Sequence, residues 1–434
     1  LTPPSPTRAS ALARGARGLG LSPTARDTVI NAAGTFLTAA FSFGCLMVAA
    51  RALGPGGYGL FALALTVLMM AAELSDLGVN AGIIRHASAH LGAGDRAAAR
   101  AVLVAALRAK LLTAATGALA VVALATPLAR LLGRPAAVGL LRLAAFGLAG
   151  TVLLGAFSAA LQAHQLFTRN AALSAANWAL RLAGTGALAA AGRVSPESLL
   201  VCFAVTPWLM CGVGALLVPR GALGLTPWDP RRGREVFDFS RWMALWGLFT
   251  LLLNRLDLIL VGRLTDDLQA GYYAAAQRVA MLVTLSVNAY LMALVPRLSR
   301  LRSTEEIARM TAGARRVVAL GSIGIVALAA AAPWVIQAFG SAFRPAAPAL
   351  TLLLAGTILQ AWTLPWNAAL YALDRPQVFA LAGGLALLAA TAVNLALIPP
   401  LGALGAGVGS LTAGAVQLLV AVRYGRRAIR PAIA

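Results

Sequence analysis

The feature that most constrains this chain is its division into apolar blocks of about 20 residues, separated by short basic segments. At ~1.5 Å of rise per helical residue, such a block crosses the ~30 Å of hydrocarbon in a bilayer. Hydrocarbon offers no partner to a free peptide group, so each block must close its own backbone hydrogen bonds as a helix. The expected fold is an all-α polytopic membrane protein with about twelve transmembrane helices. The spans read as 28–50, 59–80, 102–126, 136–161, 171–191, 198–218, 240–262, 271–295, 317–338, 346–371, 376–398 and 402–422. Composition agrees, because only 12% of the 434 residues are charged and 60% are hydrophobic. A soluble protein would carry about 25% charged residues.

The net charge of +22 raises the question of nucleic acid, and its placement answers it. Most of the 36 Lys and Arg fall on the side that holds both termini, the bias expected of cytoplasmic loops. The charge therefore orients the chain and touches anionic lipid heads. No basic groove interleaved with aromatics supports nucleic-acid binding. Residues 1–26 are rich in Pro, Ser and Arg and read as a disordered basic cytoplasmic tail. A six-helix lobe over 27–218, a cytoplasmic linker over 219–239, a second lobe over 240–422 and a tail over 423–434 complete the division. Cys45, Cys202 and Cys211 sit inside spans without metal or redox spacing, so they read as small packing residues and no cofactor is expected.

The two halves repeat. RALGPGGYGLFALAL from Arg51 is echoed by GRLTDDLQAGYYAAA from Gly262, with Tyr58 on Tyr272 and, further on, Arg85 on Arg297. Equal span numbers make the repeats parallel, which predicts two pseudo-symmetric six-helix lobes around a central cavity. Polar stripes at helical spacing give that cavity chemical content. Span 1 carries Thr28, Asn31, Thr35, Thr38, Ser42 and Cys45 on one face. The repeat sets Ser42 on Asn254 and Cys45 on Asp257 in span 7, and Asp76 on Asn288 in span 8, where Gln277 and Thr284 flank it. Span 10 adds Thr357, Gln360, Asn367 and Tyr371. Such faces either line water or, for Thr and Ser, bond back to their own helix.

Charges inside spans are the sharpest candidates. On a helix Arg255 and Asp257 lie about 200° apart, so they do not pair with each other. Asp257 shares the polar stripe and is expected in the cavity. Arg255 has leucines on its face, which suits an ion-pairing or snorkelling role as well as substrate contact. Arg278 enters span 8 at a depth that leaves an Asp257–Arg278 contact open. Arg181 sits mid-span with Ser174, Asn177 and Thr185 on its face, and needs water, an anionic ligand, or a bridge to Asp76 or Glu73. Glu73 and Asp76, close together near the cytoplasmic end of span 2, suit uptake of H⁺ or Na⁺ or, equally, pairing with arginines. The expected anion- and sugar-binding set is therefore Arg181, Arg255 and Arg278 with Asn31, Thr35, Thr38, Asn177, Asn254, Gln277, Asn288, Gln360 and Asn367. The ion-coupling set is Asp257, Asp76 and Glu73.

RALGPGGYGLFALALTVLMMAAELSDLGVNAGIIRHAS resembles the opening of the Wzx-type flippases of polysaccharide biosynthesis, with its R-x-LG-P-x-x-YG run followed by a helix ending near DLG. NRLDLILVGRL, GYYAAAQRV, LVPRLSRL and the Pro399–Gly407 segment resemble the family's second half. The likeness covers about residues 27–425. It implies the fold of the multidrug/oligosaccharidyl-lipid/polysaccharide exporter superfamily. It also implies movement of an undecaprenyl-pyrophosphate-linked sugar repeat across a bacterial inner membrane, beside glycosyltransferases and a polymerase. The chain departs from the family in having a single lysine, Lys110. A drug/cation antiporter and a lipid II flippase of the same superfamily are the nearest alternatives. A membrane polymerase or ligase is disfavoured, because the outer loops are short and the three His all map to the cytoplasmic side.

Overall fold

A computed structural model describes residues 23–222, 251–252, 254–298, 304–372 and 377–429, and among these every regular element is helical. Helix α1, Pro23–Asp76, holds the first two spans. They join at Gly54, whose φ of 67° takes the left-handed conformation that glycine adopts without strain. Pro55 follows and supplies no backbone N–H, so the helix bends there. The chain then turns at Leu77 and Gly78, both at positive φ, into Val79–Gly82, a π-helical turn at Ile83–Ala87, and Ser88–Gly92.

The first half continues with α2 (Arg96–Leu131), α3 (Val138–Ala163), α4 (Phe167–Ala190) and α5 (Pro196–Leu217). Asp95 caps α2 by accepting from the Ala98 N–H at 2.9 Å. Ser195 and Ser198 close a reciprocal capping box on α5, at 3.1 and 2.9 Å. In the second half, α6 covers the described helical residues of 251–264, followed by α7 (Asp267–Leu298) and α8 (Thr304–Ala330). The chain ends in α9 (Ala347–Ala372), α10 (Gln377–Leu401) and α11 (Ala403–Ile429). Among the described residues, eight helical segments are long and apolar enough to cross a membrane, and α1 is one segment that holds two spans. The N-terminal tail up to residue 22, most of the 219–239 linker and the start of span 7 lie outside the described residues.

Within the first half α1 packs on α4, and α3 on α2 and α5; within the second, α11 packs on α9 and α10. The heaviest contact between halves is α1 on α7, and two glycines of the repeated motif permit it. A Cβ on Gly59 would collide with the Asp267 carbonyl, and one on Gly271 with that of Pro55. Around this backbone contact Arg134 binds the Asp267 carboxylate and the Gly262 carbonyl, and Arg51 Nε donates to Ala338 O at 2.7 Å. Tyr58, Phe339 and Phe343 are buried together in the core that spans both halves. One face is therefore sealed. The opposite half of the molecule's thickness holds the cavity.

Candidate functional site

Between the halves lies a cavity of about 1480 Å³. Its first-half wall is built by the end of α1 and the turn after it (Glu73, Asp76, Asn80), together with Lys110 of α2 and Thr151 of α3. Asn254, Arg255 and Asp257 of α6 face them, with Gln277 of α7 and Gln360 and Asn367 of α9. The two cations on this wall are each held by a carboxylate. Arg255 Nη2 meets Glu73 Oε1 at 3.4 Å, an ion pair that joins the halves across the cavity. Lys110, 0% exposed, binds Asp76 and also donates to Val152 O at 3.2 Å. Gly155 leaves the room for this, since a Cβ there would stand 3.4 Å from Lys110 Nζ and 3.1 Å from the Asn80 amide.

Asp257 is the third carboxylate, and it receives three neutral donors. The Asn394 amide donates at 2.7 Å, and the Tyr273 and Ser410 hydroxyls at 3.0 Å each. Four helices of the second half thus converge on one side chain. Asn394 is buried, and its Oδ1 has no partner among the described residues. A Cβ on Gly409 would strike that oxygen, so the glycine at this register of α11 makes room for the amide.

The structure places several expected residues elsewhere. Arg181 is 3% exposed and does not reach the cavity. Its guanidinium lies 4.8 Å from the ring centroids of both Trp178 and Phe203, and Nη2 donates to Phe203 O at 3.3 Å. The bridge to Asp76 or Glu73 is absent because the face of α4 that carries Asn177, Arg181 and Thr185 packs inside the first half. There Thr185 meets Cys45 at 3.4 Å, and Asn177 is buried. Arg278 Nη1 lies 3.8 Å from Met281 Sδ, and the residue does not line the cavity. No Asp257–Arg278 contact forms. Tyr273 reaches Asp257 from α7, and five residues of helix turn Arg278 about 140° away from it.

Thr38 bonds back to Gly34 O at 2.7 Å, and Thr35 is exposed away from the cavity lining, so the span 1 stripe does not continue into it. The side chains of Asn31 and Asn288 lie outside the described residues. Arg255, Asn254, Gln277, Gln360, Asn367, Asp257, Asp76 and Glu73 do come together around the cavity. Asn80, which flanks Asp76 in the same polar stripe, also lines the cavity, and sequence reasoning missed Lys110, Tyr273, Asn394 and Ser410. A lone lysine and a lone asparagine in otherwise apolar runs were the available signal for Lys110 and Asn394.

Comparison with known proteins follows the same lines. Residues 24–302 match the family model described as polysaccharide biosynthesis protein. No curated protein matches the sequence. Among solved structures, the chain is similar to a multidrug resistance MATE family transporter of the MOP superfamily in an inward-facing conformation. The TM-score is 0.73 at 15% identity, over 89% of this chain and 95% of that one. It is similar to the lipid II flippase MurJ in an inward closed conformation with a TM-score of 0.75 at 12% identity, over 91% and 87%. A MOP superfamily transporter from Pyrococcus furiosus, described as having a binding pocket of reversed polarity, gives 0.61 at 16%, over 94% and 95%. At these identities the likeness establishes the fold, two helical lobes around a central cavity.

Proposed function

The chain belongs to the polysaccharide biosynthesis protein family, and from that premise we propose that it flips an undecaprenyl-pyrophosphate-linked oligosaccharide from the inner to the outer leaflet of a bacterial inner membrane. The termini lie in the cytoplasm, and glycosyltransferases and a polymerase act before and after it. The observation that carries this reading is the cavity wall, where Arg255 and Lys110 stand among the amides of Asn254, Gln277, Gln360 and Asn367.

A pyrophosphate and a chain of hydroxyls cannot enter hydrocarbon unaided. Charge-assisted bonds from a guanidinium and an ammonium suit the first, and side-chain amides suit the second. The polyprenyl tail stays in lipid. Bound pyrophosphate competes with Glu73 for Arg255, so substrate binding loosens the Arg255–Glu73 ion pair that crosses the cavity. Rocking of the halves then opens the sealed face and closes the other. Asp257, held by Tyr273, Asn394 and Ser410, is the group assigned to H⁺ or Na⁺ coupling. A drug/cation antiporter fits less well. Glu73 and Asp76 are each paired with a cation, which leaves Asp257 alone to meet a cationic cargo beside Arg255 and Lys110.

Proteoliposomes loaded with a lipid-linked oligosaccharide test the assignment. Arg255→Ala is expected to lower flipping at least tenfold with the protein still inserted, and Arg255→Lys to keep part of it. Full flipping by the alanine variant, or efflux of a cationic dye in its place, would reject the anionic cargo.

A further inference from the structure

A second cavity, of about 680 Å³, lies outside the transport path. It sits in the first half, where α2 and α4 begin and α3 and α5 end, so all of its wall belongs to one face of the molecule. Arg96, Arg100, Arg220 and His164 line it, and among the described residues no carboxylate does. None of the three arginines has an ion pair among the described residues. The adjacent acid, Asp95, is committed to capping α2. The turn after α5 folds back over the pocket. Ala222 N–H donates to Pro219 O at 3.0 Å, and Gly221 at φ 84° lets the backbone come beside Arg100 Nη2.

Three exposed guanidinium groups around one hollow give it a positive potential that favours an anion. The surroundings say which kind of anion. Leu209, Val213 and Leu216 lie on one exposed face of α5, and Leu216, 86% exposed, ends two turns of apolar surface just before Pro219. This exposed apolar flank ends three residues before Pro219, which lines the basic pocket. A soluble phosphate has no use for that flank, whereas the acyl chains of a phospholipid do.

We infer that this pocket holds the headgroup phosphate of an anionic glycerophospholipid, with the acyl chains laid along α5. Arg96, Arg100 and Arg220 take the phosphate oxygens, and Leu91 and Leu103 close the apolar side. Binding here is scored without transport, so the inference stands or falls apart from the flippase reading.

The test uses the full-length protein in detergent, with bound lipid counted by native mass spectrometry after titration with phosphatidylglycerol or phosphatidylcholine. Wild type is expected to retain phosphatidylglycerol preferentially. The triple variant Arg96→Gln, Arg100→Gln and Arg220→Gln is expected to lose that preference, with affinity falling roughly a hundredfold at about fivefold per arginine. Thermal unfolding of the two in phosphatidylcholine should coincide, which separates lost binding from lost folding. Equal phosphatidylglycerol retention by wild type and variant overturns the site. So does protection of the wild type by inorganic phosphate with no preference between the lipids.

Discussion

At the scale of single residues, the three carboxylates of the cavity differ in what they meet. Glu73 and Asp76 face cations, whereas Asp257 is surrounded by neutral donors and has no counter-ion among the described residues. That makes it the group most open to a small cation. Asp257→Asn presents an amide N–H₂ where one of the present donors points, at a cost of about 1–3 kcal/mol for the mispaired group. Flipping by this variant should no longer respond to an imposed H⁺ or Na⁺ gradient. A gradient response equal to wild type would remove Asp257 from coupling. The place of Asp257 was legible because its stripe recurs between the halves. Arg181 was legible only as a buried cation in need of a partner. Trp178, three residues before it, could have been noticed, but Phe203 comes from another helix and no spacing rule brings it there. Two π faces and a carbonyl took the part expected of a carboxylate.

At the scale of elements, the contact of α1 with α7 decides which face is closed. It is made of backbone, and Gly59 and Gly271 permit it. Replacing Gly59 by Ala sets a methyl against the Asp267 carbonyl, where overpacking costs about 1–3 kcal/mol. The population with the seal open should rise roughly five- to a hundredfold. A Leu353→Cys reporter on the cavity wall, with the native cysteines replaced, would then react faster with a membrane-impermeant thiol reagent applied from the sealed side. Unchanged reactivity would mean that the seal does not depend on this approach. The helices themselves were plain in the sequence, because apolar length and the R-x-LG-P motif announce them. Their pairing across the halves was not, since nothing in one chain says that the two copies of a repeated motif meet each other.

At the scale of the whole molecule, the repeat gives equivalent seats different occupants. Where span 1 meets span 5 a thiol faces a hydroxyl, Cys45 and Thr185; where span 7 meets span 11 a carboxylate faces an amide, Asp257 and Asn394. One architecture thus packs one half and gives the other its chemistry. The pair of Lys110 with Asp76 reaches further, into how the protein is made. A lysine inside a span costs about 2.5–3.5 kcal/mol as the helix leaves the translocon. Asp76 lies on the preceding span, so the ribosome delivers the counter-charge before the charge that needs it. Asp76→Leu should therefore leave a glycosylation reporter in the 132–134 loop less often translocated, and adding Lys110→Leu should restore it. Equal translocation in all three chains would leave the pair without a part in biogenesis. Reversing the order, with the lysine on the earlier span, would ask the membrane to accept an orphan cation while it waits for synthesis to catch up.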